Sequence, residues 1–408
     1  MTLDKIYHAA YVLKKAARNT DLIFAPDLCG YRNIWLKTEN LQVTGSFKLR
    51  GAYYMISQLS EEERQKGIIA CSAGNHAQGV ALAAKKSGIS AKICIPDSAP
   101  LSKIEATKSY GAEVVLVPGS YDDAYEKALE LQKEEGRTFI HPFDNDDVIA
   151  GQGTIGLEIL DQLPDVEAVV VPVGGGGLIS GIAFAVKSLN PGCKIYGVQA
   201  SNSSSMVRSL EAGKQVSLDS AFTFADGIAV KRPGDLTFAY VNDYVDEVVS
   251  VSEDEIAGAV LALMERQKLV TEGAGAVAVA AIMHGKLDLG EKKTVCLLSG
   301  GNIDVSILSR VITRGLVNSG RNSNLTIALI DKPGQLEGIA HVIAGLGGNV
   351  FSVQYDRSDP NMAINSCFIT VGLETRDHAH LAEIKEALSK AGFVLVGSTS
   401  IGGDCKLG

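Results

Sequence analysis

A lysine set among small residues and one aromatic, Thr44-Gly45-Ser46-Phe47-Lys48-Leu49-Arg50-Gly51-Ala52, opens a helical pattern. By itself Lys48 reads as an ordinary helix start. Given a carbonyl partner, a desolvated lysine amine forms a Schiff base, and Phe47 beside it can lie against a ring. Ser72-Ala73-Gly74-Asn75-His76-Ala77-Gln78-Gly79 follows an apolar run and opens a second helix, so backbone N–H groups and the positive end of the helix dipole face an anion there. Ser72 and Asn75 add side-chain donors, whereas His76 reads equally as a packed, hydrogen-bonded histidine. Gly174-Gly175-Gly176-Gly177-Leu178 lies between the run VVVPV and the helical pattern LISGIAFAVKSL. Four glycines let backbone wrap closely round a phosphate at a helix N-terminus. No Lys-Ser/Thr pair follows, so this is no P-loop, and Ser180 stands where a dinucleotide fingerprint needs its third glycine. Ser299-Gly300-Gly301-Asn302 follows the run TVCLL and puts a neutral hydroxyl at a strand's C-terminal edge, where open α/β sheets bind ligands.

From about residue 46 to 320, short apolar runs (68–71, 91–95, 113–117, 169–173, 194–198, 294–298) alternate with helical patterns. Continuous apolar runs bounded by turns predict buried parallel strands with helices on both faces. The pattern stops at 316–324, LVNSGRNSN, which is small, polar and turn-prone as linkers are. Beyond it the order is strand 325–330, the turn Asp331-Lys332-Pro333-Gly334, and helix 335–346 closed by Gly347-Gly348-Asn349. Strands 350–356 and 366–373, joined by a loop carrying Asp359-Pro360-Asn361, then helix 379–391 and strand 393–397 complete a βαββαβ, ferredoxin-like unit.

The 408 residues are too many for one core. A net charge of -9 argues against nucleic acid or an anionic membrane as partner. Cys29, Cys71, Cys94, Cys193, Cys296, Cys367 and Cys405 are dispersed without CxxC or metal-ligand spacing, which suits reduced thiols. The start, MTLDKIYHAAYVLKK, lacks the apolar segment of a signal peptide, and the most apolar stretch, 166–186, is broken by its glycines. The expectation is a soluble cytoplasmic protein.

SFKLRGA, SAGNHAQG, GQGT (151–154), GGGGL, TEGAGA (271–276) and SGGN occur in the order and spacing of the fold-type II pyridoxal-phosphate enzymes. Over about residues 5–315 the chain resembles the threonine/serine dehydratases among them. The C-terminal segment resembles an ACT regulatory domain, with that family's D-x-P-G-x-L turn (331–336) and Gly348-Asn349. The resemblance implies an α/β, tryptophan synthase β-like catalytic domain over 1–318, a small subdomain of about 46–147 inserted in a large one, and an ACT domain over 325–400. It implies pyridoxal 5'-phosphate held through its aldehyde by Lys48, with Phe47 against the ring and Asn75 on the phenolic oxygen. Gly174, Gly175, Gly176, Gly177 and Leu178 would surround the phosphate, and Ser299 would face the pyridine nitrogen. Ser72, Gly74 and His76 would receive the carboxylate of a small hydroxy amino acid. The implied reaction is β-elimination of L-threonine to 2-oxobutanoate and ammonia, and of L-serine to pyruvate, with the freed Lys48 amine taking the α-proton. A neutral serine at the pyridine nitrogen weakens the ring as an electron sink and favours elimination over transamination.

Serine racemases of this family carry a second serine directly after the first in the asparagine loop. Here Ala73 stands there, and a methyl moves no proton. Racemase-type members also hold a divalent cation through acidic residues after the strand matching 194–198; Gln199-Ala200-Ser201-Asn202-Ser203-Ser204-Ser205 has none, so no metal site is expected. The alternatives are a serine racemase or hydroxy-aspartate dehydratase on the same scaffold, and an inert amino-acid sensor. Phe143, in His141-Pro142-Phe143-Asp144, is a candidate pocket wall. The ACT resemblance implies a homo-oligomer, dimer or tetramer, with a regulatory site at Gly347, Gly348 and Asn349 and with Asp331 and Gly334 nearby. Its effector would be isoleucine for a biosynthetic enzyme, or a nucleotide for a catabolic one.

Overall fold

The computed structural model describes residues 1–26, 28, 33–357 and 363–399. It divides into two compact units, Met1–Ile307 and Leu308–Gly408.

In the first unit the apolar runs form two sheets. The larger has the spatial order Leu22–Phe24, Ile34–Lys37, Thr294–Leu297, Ala168–Pro172, Lys194–Ala200, Glu247–Val251, with only its first pair antiparallel. The smaller runs Glu113–Val117, Ala91–Pro96, Ile68–Cys71, Thr138–Phe139 and is parallel throughout. Ile68–Cys71, Ala168–Pro172 and Thr294–Leu297 are buried at every position, because helices cover both faces and leave no side for a polar residue. The SAGN, GGGG and SGGN loops each follow the carboxyl end of one of these strands. Helix Lys48–Ser57 packs on helices Asn75–Ser87 and Asp146–Gln162, and its Gly51 N–H donates to Gln152 Oε1 at 3.2 Å.

In the second unit, four antiparallel strands stand in the order Asn349–Asp356, Ser366–Glu374, Asn322–Ile330, Val394–Thr399. Asn322–Ile330 buries every second residue, Ser323, Leu325, Ile327 and Leu329, as a strand with one covered face does. Leu325, Ile327 and Leu329 join Ile369, Ile343 and Ile384 in one core beneath helices Gln335–Gly345 and His378–Lys390. The chain order is the expected βαββαβ. The Asp359-Pro360-Asn361 loop lies outside the described residues, as do Cys29 and Cys405. Cys71, Cys94, Cys193 and Cys367 are buried thiols.

The linker expected at 316–324 is a correction. Residues 316–318 end helix Val305–Asn318, and Asn322, Ser323 and Asn324 pair with Glu374, Leu373 and Gly372. Ladder hydrogen bonds come from the backbone, so small polar side chains do not prevent a strand. The units also divide inside that helix, at 307/308, where the sequence suggests a boundary near 318. Among the described residues no helix is long and apolar enough to cross a membrane.

Candidate active site

A cavity of about 970 Å³ opens among the loops at the carboxyl ends of the two sheets of the first unit. Phe47, Lys48, Ser72, Gly74, Asn75, His76, Gly174, Gly175, Gly176, Gly177, Leu178 and Ser299 all line it, so residues up to 252 positions apart share one wall. Four helices begin there, Lys48–Ser57, Asn75–Ser87, Gly177–Leu189 and Gly273–Met283, and none has a side-chain cap. Helices that begin elsewhere, such as those capped by Ser60, Asn145 and Ser252, satisfy the same N–H groups internally. Uncapped helix starts converging on a cavity make it receptive to anionic oxygens.

Lys48 is positioned by the SGGN loop. Ser46 bridges Gly300, and the Phe47 N–H donates to the Ser299 carbonyl at 3.1 Å. The Lys48 amine donates to the Pro142 carbonyl at 2.9 Å and sits 5.3 Å from the centre of the Phe47 ring. Burial pushes its ammonium down to about 8, against the pull of the Glu272 carboxylate. An amine must be uncharged to attack a carbonyl. Lys48 is therefore expected to condense with an added aromatic aldehyde at a rate that rises through about pH 8 and then levels, where an ordinary lysine would climb toward about 10.4. Stopped-flow absorbance against pH measures this, and a rate still climbing above about pH 9.5 would contradict the burial argument.

The glycine loop is shaped by what presses on it. Gly176 adopts φ +99°, the left-handed region that an L side chain resists. A methyl on Gly175 would lie 2.5 Å from the Phe143 ring, so Phe143 buttresses the loop from one side. The Thr237 hydroxyl holds it by donating to the Gly175 carbonyl at 2.5 Å. Leu178 follows in the cavity wall, 6% exposed. Ser299, at 2% exposure, donates to the Ala274 carbonyl at a long 3.3 Å, so its hydroxyl can turn toward a better acceptor. Ser72 Oγ accepts from the Gly74 N–H at 3.1 Å and shapes the loop before Asn75.

His76 departs from the expectation. Its ring is buried, with Nε2 2.9 Å from the Ile140 carbonyl oxygen, and burial, with Lys48 adding, pushes it down to about 3. A neutral ring engaged with a carbonyl offers no charge to a carboxylate, so at His76 only the backbone N–H is left for that task. His141 is likewise pushed down to about 4 by burial, and its Nδ1 accepts from the Phe143 and Asp144 N–H groups.

Glu272 was not among the residues expected at the site, although it is a letter of the TEGAGA motif. It lines the cavity and accepts from Asn75 Nδ2 at 2.6 Å. Lys103 and Asp226 form an ion pair that also lines the cavity.

The five regulatory candidates do not form one group. Gly347, Gly348 and Asn349 follow the C-terminal end of helix Gln335–Gly345, and Asn349 Nδ2 donates to Glu374 at 2.8 Å. Gly334 caps the helix at its N-terminal end, and Asp331 pairs there with Arg357 at 3.0 Å. Eleven helical residues separate the ends by about 16 Å, which corrects the expectation that Asp331 and Gly334 lie near the other three.

An amine of lowered pKa, a side-chain amide, a neutral hydroxyl and an open glycine cradle facing one cavity fit a phosphorylated aldehyde with a heteroaromatic ring. Residues 13–300 match the family described as pyridoxal-phosphate dependent enzyme. The chain belongs to that family, and its cofactor is pyridoxal phosphate. It is 52% identical over 395 residues to an L-threonine ammonia-lyase of Thermotoga maritima, covering 96% of this chain and 98% of the relative. It is also 52% identical over 280 residues to the catabolic L-threonine dehydratase TdcB of Escherichia coli K12, covering 68% of this chain and 85% of that one. Among solved structures it resembles the processed threonine deaminase isoform 2 of Solanum lycopersicum, with TM-score 0.72, 41% identity, and coverage of 77% of this chain and 94% of that one. Maize serine racemase, at TM-score 0.72 and 35% identity, covers 77% of this chain and 98% of its own.

Proposed function

We propose that the chain is an L-threonine ammonia-lyase that also accepts L-serine. The observation that carries this reading is the convergence of Lys48, Asn75, Ser299 and the glycine loop on one cavity. The near full-length likeness to a threonine ammonia-lyase supports the substrate. When bound, pyridoxal phosphate supplies a carbonyl that exchanges amines and a ring that draws electrons from the substrate's α-carbon. Lys48 would hold that carbonyl, and its free amine is a base able to take the α-proton near neutral pH. The glycine loop and the start of helix Gly177–Leu189 hold the phosphate. Asn75 would donate to the phenolic oxygen, and Ser299, whose bond to the Ala274 carbonyl is long, would face the ring nitrogen without adding a charge. Ser72 and the uncapped start of helix Asn75–Ser87 receive the substrate carboxylate. The α-proton and the β-hydroxyl leave as one water, and hydrolysis of the dehydrated amino acid takes one water back to give 2-oxobutanoate and ammonia.

Ala73 sets the direction of the chemistry. Its methyl lines the cavity beside Ser72 and packs toward the core of the smaller sheet, so no hydroxyl stands there to return a proton from the opposite face. The βαββαβ order and two helices of the second unit support an ACT-type reading, and we assign it a ligand-sensing role, with an amino acid or nucleotide as effector, in a homo-oligomer.

Purified protein given L-threonine is expected to release 2-oxobutanoate and ammonia in equal amounts, and pyruvate from L-serine more slowly. One methyl in a pocket is worth about 1–3 kcal/mol, so the preference lies within roughly 10–200-fold. Residual serine should stay L on chiral analysis, and isoleucine, valine, AMP and ADP added to the assay read the second unit. Absence of 2-oxo acid from both substrates would overturn the assignment.

A further inference from the structure

Glu272 is 4% exposed and serves no contact assigned above to cofactor or substrate. It stands at the start of helix Gly273–Met283, where its backbone N–H donates to the Gly300 carbonyl at 3.1 Å. Its carboxyl is closely enclosed. A methyl on Gly300 would lie 2.3 Å from Oε1, and one on Gly227 3.3 Å away. Its partner is held at both ends. Asn302 Nδ2 donates to the Thr44 carbonyl at 2.8 Å and to Asn75 Oδ1 at 2.8 Å. A carbonyl only accepts, so Asn302 must present its nitrogen, and Asn75 must then turn its oxygen to Asn302 and its nitrogen to Glu272. One Asn75 N–H is spent on Glu272, which leaves the other for the cavity that Asn75 lines.

We propose that Glu272 is a positioning residue with a proton of its own: through Asn75 it aims an N–H at the cofactor's phenolic oxygen, and by exchanging one proton with solvent it sets the charge felt by that oxygen and by Lys48. This rests on the reading of Asn75 given above. The charged groups that bear on Glu272 are Lys48, Lys103 of helix Leu101–Ser109, and Asp226 of the turn Asp226–Ile228. Burial pushes Glu272 up to about 7 and Asp226 adds to this, while Lys103, the Asn75 amide and Lys48 pull the other way. Below that pH the proton sits on Oε2 while Oε1 still accepts from Asn75. Above it, the anion favours a protonated Lys48 nitrogen. Only an O–H bond forms or breaks, so no further reactant is needed.

The test is a pH titration of the bound cofactor's visible absorbance in the substrate-free holoenzyme, beside the pH profile of kcat/KM. The wild-type protein should show an inflection near pH 7 in both. Glu272→Gln keeps an oxygen for Asn75, so it should retain the cofactor yet lose that inflection. Glu272→Asp keeps the charge one methylene short of Asn75; it should keep an inflection while holding cofactor roughly tenfold less tightly, the loss of one charge-assisted hydrogen bond. Asp226→Asn and Lys103→Met leave Glu272 in place and should move the inflection down and up respectively. A near-neutral inflection that survives in Glu272→Gln overturns the proposal, as do shifts of the same sign in the two neighbours. The neighbour pair decides alone if Glu272→Gln does not fold. The spectral titration needs no substrate, so a wild-type protein that titrates near pH 7 but leaves threonine and serine untouched counts against the proposed function and not against Glu272.

Discussion

Lys48→Ala is expected to lower threonine turnover by at least roughly 10²–10⁴-fold, the contribution of a general base alone, with more lost because the covalent anchor goes too. The purified variant should lack the visible absorbance of the wild-type holoenzyme. Its fold should survive. The Lys48 amine makes one protein hydrogen bond, to the Pro142 carbonyl, and that carbonyl faces the cavity and can turn to water. The backbone that places Lys48 is held by the Ser46–Gly300 bridge and the Phe47–Ser299 bond, neither of which needs the side chain. Circular dichroism and the denaturation midpoint, both taken without cofactor, should match the wild type. Lys48→Arg sharpens the result, because its guanidinium stays charged at any working pH and cannot condense with the carbonyl or take the α-proton. Variants that keep 2-oxobutanoate production near the wild-type rate would remove Lys48 from the chemistry.

Lys48 is legible in the sequence only in company. Strands buried on both faces print continuous apolar runs, and ligand loops of parallel sheets follow the carboxyl ends of such strands, so the pattern of residues alone puts SAGN, GGGG and SGGN on one rim. Edges print less. Leu22–Phe24 and Thr138–Phe139 are three and two residues long. Ile34–Lys37 ends in a lysine with no exposed surface, which reads as a surface residue until its partners are known. Glu272 is visible as a letter of TEGAGA, but its contact with Asn75 spans 197 residues and nothing local announces it. The same holds for GQGT: Gln152 accepts from Gly51 and Thr154 from Arg50, so that motif steadies the helix carrying Lys48 instead of touching the cavity. His76 sits in a ligand-like loop, yet whether its ring meets ligand or the Ile140 carbonyl depends on a segment 64 residues away.

The largest stability effect is expected two residues beyond Lys48. Arg50, 1% exposed, donates to both carboxyl oxygens of Glu39 at 2.8 Å and to those of Glu158 at 2.6 and 2.9 Å, with Thr154 Oγ1 and the Arg18 carbonyl completing its fork. Lys37 joins Glu158 at 2.6 Å, so two cations and two carboxylates share one enclosed space. Arg50→Met leaves Glu39 and Glu158 against Lys37 alone, and an uncompensated buried charge costs about 3–5 kcal/mol. The guanidinium denaturation midpoint should fall, and kcat/KM should fall with it as the Lys48 helix loosens. Charge, more than volume, carries the cost. Adding Glu39→Gln to Arg50→Met leaves Lys37 and Glu158 as a matched pair, so the double variant should be more stable than Arg50→Met alone, a coupling that additivity excludes. The pH dependence gives a second sign. In the wild-type protein burial pushes Glu39 up, but the charge and hydrogen bonds of Arg50, with Thr20 and Lys37 adding, together hold the carboxyl below its ordinary 4.5, so its stabilising share is present above that pH and is lost on acidification. Without Arg50 the burial is unopposed by that cation and Glu39 moves above 4.5, so lowering the pH from 7 toward 5 should regain stability in Arg50→Met. Midpoints that fall in parallel for both proteins over that range would show that Arg50 acts through packing and not as the counterion of Glu39.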